Sequence, residues 1–272
     1  MPAGRWGARM GEAELVDPVV GGLTDPFNRI HMGVTAENVA ERYGITREEQ
    51  DEFALTSHMR AKAAIEAGRF DDEVVPVPIK VKRQEVGFTE DEHVRKDATL
   101  ENLGKLPTVF KRDGGTVTAG NASGMNDAGA AVVLMHENKA KELGAPVRAR
   151  IVSWAYCGVE PKIMGVGPVP ATRRALERAG MTLDDVDVIE LNEAFASQAL
   201  AVIRDLGMDR SKVNPNGGAI AIGHPLGASG TRLIGTLAYE MQRRDAEWGL
   251  VTLCMGAGMG MSLALQREHY DW

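Results

Sequence analysis

From about residue 147 to the C-terminus, apolar runs of strand length alternate with stretches of helical length, and this alternation narrows the possible folds more than anything else in the chain. ARIVSWAYC (149–157) reads as a strand, Pro170 opens a helix over ATRRALERAG (171–180), VDVIEL (186–191) reads as a strand and NEAFASQALAVIRDLG (192–207) as a helix. The chain then ends on GLVTLC (249–254), a glycine-rich turn and MSLAL (261–265). The pattern predicts an α/β layered domain over 147–272. An earlier stretch has a similar rhythm: GTVTAG (115–120) and AAVVLM (130–135) read as strands on either side of the small-residue loop NASGMNDAG (121–129), which hints at two related halves.

Upstream the signals change. The first 20 residues, rich in Gly, Pro and Arg and without periodicity, read as a loop. Thr35 precedes the helical AENVAERYG, and Thr46 with Glu49 forms a capping box ahead of a second helix that Gly68 should close. Residues 71–113 read as a surface excursion, with strand-like VVPVPIKV, an acidic turn at Glu90 to Glu92 and the basic residues Lys80, Lys82, Arg83, Arg95, Lys96 and Lys105.

Composition excludes several function classes. A net charge of -7 over 272 residues argues against general nucleic-acid binding, while a local basic patch still suits a small anionic ligand. Two cysteines, Cys157 and Cys254, are too few for a disulfide framework and lack structural-zinc spacing, so a reducing cytoplasm is the default. No apolar run approaches the ~18 residues of a membrane span, and the opening residues hold no signal-like apolar segment.

The chemistry sits on loops. Cys254 stands between an apolar strand and glycines at 256, 258 and 260, and His224 stands in GGAIAIGHPLGASG (217–230), before Pro225 and ahead of the helix TRLIGTLAYEMQRR. A thiol and an imidazole on glycine-rich loops suggest acyl chemistry on a thioester, because such loops let the backbone approach a substrate closely. Each residue also has a plainer reading: Cys254 as a small buried hydrophobe, His224 as a packed histidine, Asn192 as a helix cap after VDVIEL, Glu193 as a first-turn carboxylate. Cys157 is assigned to packing. The histidine loop lacks the dinucleotide and Walker patterns and holds no Lys, which weakens a phosphate-cradle reading. Ser229 lies outside any Gly-x-Ser-x-Gly elbow and reads as a cap rather than a nucleophile.

HMGVTAEN (31–38), TAGNASG (118–124), NEAFA (192–196), GGAIAIGHPLGASG (217–230) and CMGAGMG (254–260), in this order, resemble the thiolase family along essentially the whole chain, with details closest to its bacterial acetyl-CoA acetyltransferases. The resemblance implies an α/β fold of five layers, αβαβα, built from two similar halves. Residues 1–125 would form most of a coenzyme A-binding loop domain, 126–146 the returning tail of the first half, and 147–272 the second half. It also implies roles. His224 activates a nucleophilic cysteine, Cys254 moves the α-proton of the second acetyl-CoA, and Asn192 holds a water that stabilises the enolate with His224. Gly256 contributes a backbone amide to a second oxyanion hole. Ser123, His31 and Met32 line the pantetheine channel with Phe110 and Phe195 nearby, and Arg95 meets a coenzyme A phosphate.

The resemblance calls for coenzyme A thioesters as substrates, no separate cofactor and no metal. Its partners are acyl-CoA and CoA, with no nucleic acid or membrane, in a homo-tetramer or dimer. It places the acyl-accepting cysteine in the first half, at a position neither Cys157 nor Cys254 matches. The expectation is a thiolase lacking its beginning and inactive alone. Three alternatives stand beside it: a degradative 3-ketoacyl-CoA thiolase of broader chain length, a non-catalytic coenzyme A-binding subunit, and, more distantly, a serine hydrolase using Ser229 and His224.

Overall fold

The computed structural model describes residues 17–268. Most of the loop expected at the start falls on residues 1–16, outside the described residues. Its end is instead a helical turn, α1 (Pro18–Gly22), whose first amides at Val19 and Val20 donate to the Asp17 carboxylate. Helix α2 (Met32–Tyr43) starts earlier than Thr35. His31 caps it, its Nδ1 accepting from the Gly33 amide at 3.1 Å, while Thr35 is buried in the first turn with its hydroxyl on the Met32 carbonyl. Helix α3 (Arg47–Glu66) begins at the expected capping box, in which Thr46 and Glu49 each accept from the other's amide.

Strands β1 (Val77–Val81) and β2 (Gln84–Phe88) form an antiparallel hairpin exposed along its length, as a surface excursion should be. Short helices α4 (Leu100–Gly104) and α5 (Glu137–Leu143) flank the segment that carries TAGNASG. Neither strand expected on that segment forms. Residues 115–120 make a single bridge, Thr108 to Thr118, and the amides of Thr116 and Val117 go to the Glu37 carboxylate, that of Thr118 to Asn121 Oδ1. AAVVLM has no sheet partner among the described residues, and Val133 and Leu134 are 84% and 70% exposed. Alternating apolar residues favour an extended chain, but a strand exists only where a neighbour takes its backbone hydrogen bonds.

The C-terminal part follows the expected alternation. Strand β3 (Ala149–Gly158) leads through a 3₁₀ turn (Pro161–Val166) into α6 (Pro168–Ala179), β4 (Val188–Leu191) and α7 (Ala196–Leu206). The short α8 (Ala219–Ile222), the long α9 (Leu226–Arg244), β5 (Trp248–Met255) and β6 (Met259–Arg267) complete it. Helix α6 starts at Pro168 rather than Pro170, and α9 at Leu226 rather than Thr231, so Gly227 and Gly230 are helical residues and not loop.

The sheet runs β3-β6-β5-β4, with β4 and β5 parallel and the other pairs antiparallel. Alternation along its strands builds two cores. Ile189, Leu191 and Leu250 pack against residues of α2, α3, α6 and α7, while Val188 and Val251 pack against Leu233, Leu237 and Met241 of α9. The described residues thus form a helix–sheet–helix sandwich. Because β4 and β5 run parallel, with Leu191 beside Thr252, Asn192 and Cys254 emerge at the same edge, the carboxyl ends where open α/β sheets place their sites.

Candidate active site

Two neighbourhoods meet at that edge. In the first, Asn192 continues the parallel ladder one residue past β4, its amide donating to the Thr252 carbonyl at 3.0 Å. It caps nothing, since α7 starts at Ala196 with Phe195 in the cap position. Its side chain is fully buried, with Nδ2 3.3 Å from His224 Nε2 and Oδ1 without a partner among the described residues. A buried amide oxygen left open in this way is a place for a water or a substrate group.

His224 reaches Asn192 because of Gly223. That residue has φ 96, and a Cβ there would lie 2.4 Å from Asn126 Oδ1, so both conformation and space require glycine. The His224 amide donates to the Gly124 carbonyl at 3.2 Å, and the ring's Nδ1 lies 2.6 Å from Ser229 Oγ. Burial, reinforced by the Arg232 charge, pushes the imidazole's pKa down to about 4. His224 is therefore a neutral ring at physiological pH, able to accept a proton or share a hydrogen bond.

The second neighbourhood is apolar. Cys254, buried on β5, packs with Met32, Met164 and Ala194, and with the partly buried Leu23 and Phe195. Burial pushes its thiol up to about 12, so the resting group is a protonated thiol. The turn after it is tight: Ala257 has φ 65 and Gly258 φ 86, and a Cβ on Gly258 would come within 2.5 Å of the Val159 carbonyl oxygen. Gly256 is exposed, and apart from its chain neighbours no heavy atom lies within 4 Å of where its Cβ would stand. Cys157 and Cys254 both pair with Gly260, from opposite sides of β6. Two strand spacings put their Cα atoms about 10 Å apart, beyond disulfide reach.

Most of the expected binding residues join these neighbourhoods. His31 stacks on Phe110 with centroids 4.9 Å apart, and Phe110 meets Phe195 edge-on at 6.5 Å. Burial lowers the His31 pKa. Ser123 donates to the Ala194 carbonyl through both its amide (3.1 Å) and its hydroxyl (3.0 Å), tying TAGNASG to NEAFA. Arg95 stands apart: its backbone amide donates to His58 Nδ1, and its exposed side chain faces solvent.

Three neighbours of the site take places that the sequence reading did not give them. Glu193 is not a first-turn carboxylate. It is buried and accepts from Ser57 Oγ (2.6 Å), Asn214 Nδ2 (2.8 Å) and the Ile220 amide (3.2 Å), and burial raises its pKa. It thereby ties α3, the segment after α7 and the histidine loop to the residue next to Asn192. Met164 supplies part of the thiol's apolar wall from the 3₁₀ turn, where nothing in the sequence marks it. Ser229 lies in the first turn of α9, buried against His224, and its position five residues after a His-Pro at a helix start was the available signal.

Comparison with known proteins identifies the family and the fold. The family model for the thiolase N-terminal domain matches residues 1–138, and that for the thiolase C-terminal domain matches residues 145–267. An acetyl-CoA acetyltransferase of Pseudomonas aeruginosa is 58% identical over 270 residues, covering 98% of this chain and 68% of that protein. A beta-ketothiolase of Cupriavidus necator is 56% identical over 266 residues, with the same coverage of 98% and 68%. Among solved structures, the Bacillus anthracis acetyl-CoA acetyltransferase superposes with TM-score 0.92 at 51% identity, over 97% of this chain and 67% of that one. The human mitochondrial 3-ketoacyl-CoA thiolase in complex with CoA gives 0.87 at 46%, over 97% and 66%. The expected fold class is borne out, and the chain spans about two thirds of the length of these relatives.

Proposed function

This chain belongs to the thiolase family, and from that premise we propose that it serves acetyl-CoA C-acetyltransfer, the joining of two acetyl-CoA molecules into acetoacetyl-CoA and free CoA, or the reverse thiolysis. The observation that carries the reading is the buried contact between Asn192 and His224, at the end of the sheet where the parallel strand bearing Cys254 also finishes. In this reaction an acetyl group first passes to a thiol, releasing CoA. A second acetyl-CoA then loses a methyl proton, and its carbanion attacks the bound acetyl carbonyl, breaking the thioester C–S bond so that the thiol leaves and acetoacetyl-CoA is released.

The neutral imidazole suits the first part, since its unprotonated ring nitrogen can take a thiol proton. Cys254 moves the methyl proton. A water on Asn192 Oδ1, together with His224, faces the enolate oxygen, and the Gly256 amide faces the oxygen of the attacked thioester. His31, Met32, Phe110, Phe195 and Ser123 form the path for the pantetheine arm, and Arg95 meets a phosphate at its outer end.

Neither cysteine present fits the acyl-accepting role on this reading. Cys254 already carries the proton step, and Cys157 lies across β6 from it. The protein at work is proposed to be a homo-dimer or tetramer in the reducing cytoplasm, where its thiols stay free. Thiolysis of acetoacetyl-CoA is the test, run together with equilibrium binding of CoA. Turnover supports the reading and overturns the expected inactivity of the chain alone. Binding without turnover favours a coenzyme A-binding subunit, and absence of both contradicts the proposal. Preference for longer 3-ketoacyl-CoA substrates would favour the degradative reading.

A further inference from the structure

We infer that Glu193 is a positioning residue: its carboxyl group holds the histidine loop against the end of β4 and so sets the reach from His224 to Asn192. The inference deepens the proposed function and rests on its pairing of those two side chains. The hold begins one residue before Asn192. The segment that ends at Asn214 runs beside β4, and the Asn214 side chain clasps Leu191, its Oδ1 accepting from the Leu191 amide and its Nδ2 donating to the Leu191 carbonyl, each at 2.8 Å. These two bonds fix which way round the amide sits, because the Leu191 N–H can only donate and its carbonyl can only accept. The second hydrogen on Nδ2 therefore goes to Glu193 Oε1, again at 2.8 Å.

The other oxygen reaches the histidine loop. Helix α8 starts behind Gly218, which has no side chain to cap it, so its first amides take partners from elsewhere in the chain. Glu193 Oε2 accepts from the Ile220 amide at 3.2 Å and lies 2.6 Å from Ser57 Oγ, which in turn accepts from the Gly218 amide at 3.0 Å. Two glycines permit this approach. A Cβ on Gly218 would stand 2.2 Å from the Glu193 carboxyl carbon, and one on Gly217, at φ 81, would stand 2.6 Å from the Ser57 carbonyl oxygen. From Ile220 a single turn, closed by the Gly223 amide on the Ala219 carbonyl, delivers His224. Buried Glu193 thus links both partners of the 3.3 Å contact. Glutamine is a poor replacement. The Ile220 amide and Asn214 Nδ2 face different oxygens and both can only donate, so whichever way a glutamine turned, its NH₂ would confront one of them.

The first arm of the test needs no turnover. In nitrogen–proton correlation spectra of the histidine-labelled chain, Glu193→Gln should shift the His224 ring signals and leave those of exposed His136 in place. Ser57→Ala, which cuts the link to Gly218 but keeps the carboxyl group, should shift them as well, and it carries this arm if Glu193→Gln fails to fold. Thr46→Ala, a cap lost at the start of α3, should leave them unmoved. In the second arm, Glu193→Gln should lower kcat for acetoacetyl-CoA thiolysis by roughly 10-fold to 100-fold, the effect of a misplaced catalytic group, with KM within about twofold. In an Asn192→Ala background the same substitution should cost less than about threefold, because the contact it positions is already gone. Unshifted His224 signals in the Glu193 and Ser57 variants would overturn the inference, as would equal costs in the two backgrounds. Shifted signals in a chain without thiolysis leave this inference standing and count against the acyl-transfer reading instead.

Discussion

The corner around His224 and the pocket around Cys254 lie at one edge of one sheet, and both keep a titratable group neutral, yet they do so by opposite means. His224 is fixed by direction: Asn192, Ser229 and the Gly124 carbonyl each meet one particular atom of the residue. Cys254 is fixed by exclusion, among Met32, Met164, Ala194 and Phe195, none of which offers its sulfur a charged partner. One moves down to about 4 and the other up to about 12, both chiefly by burial. On the proposed reading the difference teaches that the imidazole is prepared to act as it stands, whereas the thiol would exchange its proton only when a substrate changes its surroundings.

The largest break in the comparison comes from removing either group. His224→Ala and Cys254→Ala should each lower the rate of acetoacetyl-CoA thiolysis by about 10²–10⁴-fold, the usual contribution of a positioned acid or base, while coenzyme A affinity measured by calorimetry stays nearly unchanged. Asn192→Ala should cost somewhat less, about 10²-fold, if the open Oδ1 supports an enolate-stabilising water. A full rate in that variant would separate Asn192 from the chemistry.

Gly223→Ala tests the geometry of the polar corner alone. A Cβ would stand 2.4 Å from Asn126 Oδ1 at a backbone angle of φ 96, so a loss of about 1–3 kcal/mol in urea unfolding is expected, with the thiol pocket untouched.

The pH profile sharpens the contrast further. With His224 near 4 and Cys254 near 12, kcat/KM should show no inflection from either group at pH 6.5 or 9, and activity should fall only as the imidazole takes a proton towards pH 4. Stability has its own window. Buried His58 is also pushed down to about 4 by desolvation, with the Arg95 and His93 charges adding to it. Between its ordinary value near 6.5 and about 4, the unfolded chain binds a proton that the folded chain refuses, so this contribution to stability is lost as pH falls through the window. His58→Gln should flatten that dependence in urea titrations at pH 7 and 5. The smallest effect should be Arg95→Ala, a few-fold rise in KM for the thioester at constant kcat, as expected of an exposed guanidinium proposed to meet a phosphate at the outer end of the site.

Much of this was legible in the sequence. The capping box at Thr46 and Glu49 is a local signal and forms as written, and the strand–helix alternation after residue 147 becomes the sandwiched sheet because each apolar run finds a face to bury. AAVVLM failed because local pattern specifies an extended chain but not its partner. Taken alone, Asn192 reads as a cap and only the family resemblance gave it a catalytic role, because its contact with His224 spans 32 residues, whereas Ser229, read as a cap, meets His224 only five residues away. Glu193 was likewise opaque: its three donors come from Ser57, Asn214 and Ile220, far away in sequence.

The most direct measurement is a crystal structure of the chain with acetyl-CoA bound. The account predicts the thioester oxygen about 3 Å from His224 Nε2 or from a water on Asn192 Oδ1, with the methyl carbon turned towards Cys254 Sγ. A thioester seated elsewhere, with these three side chains facing away from it, would contradict the account.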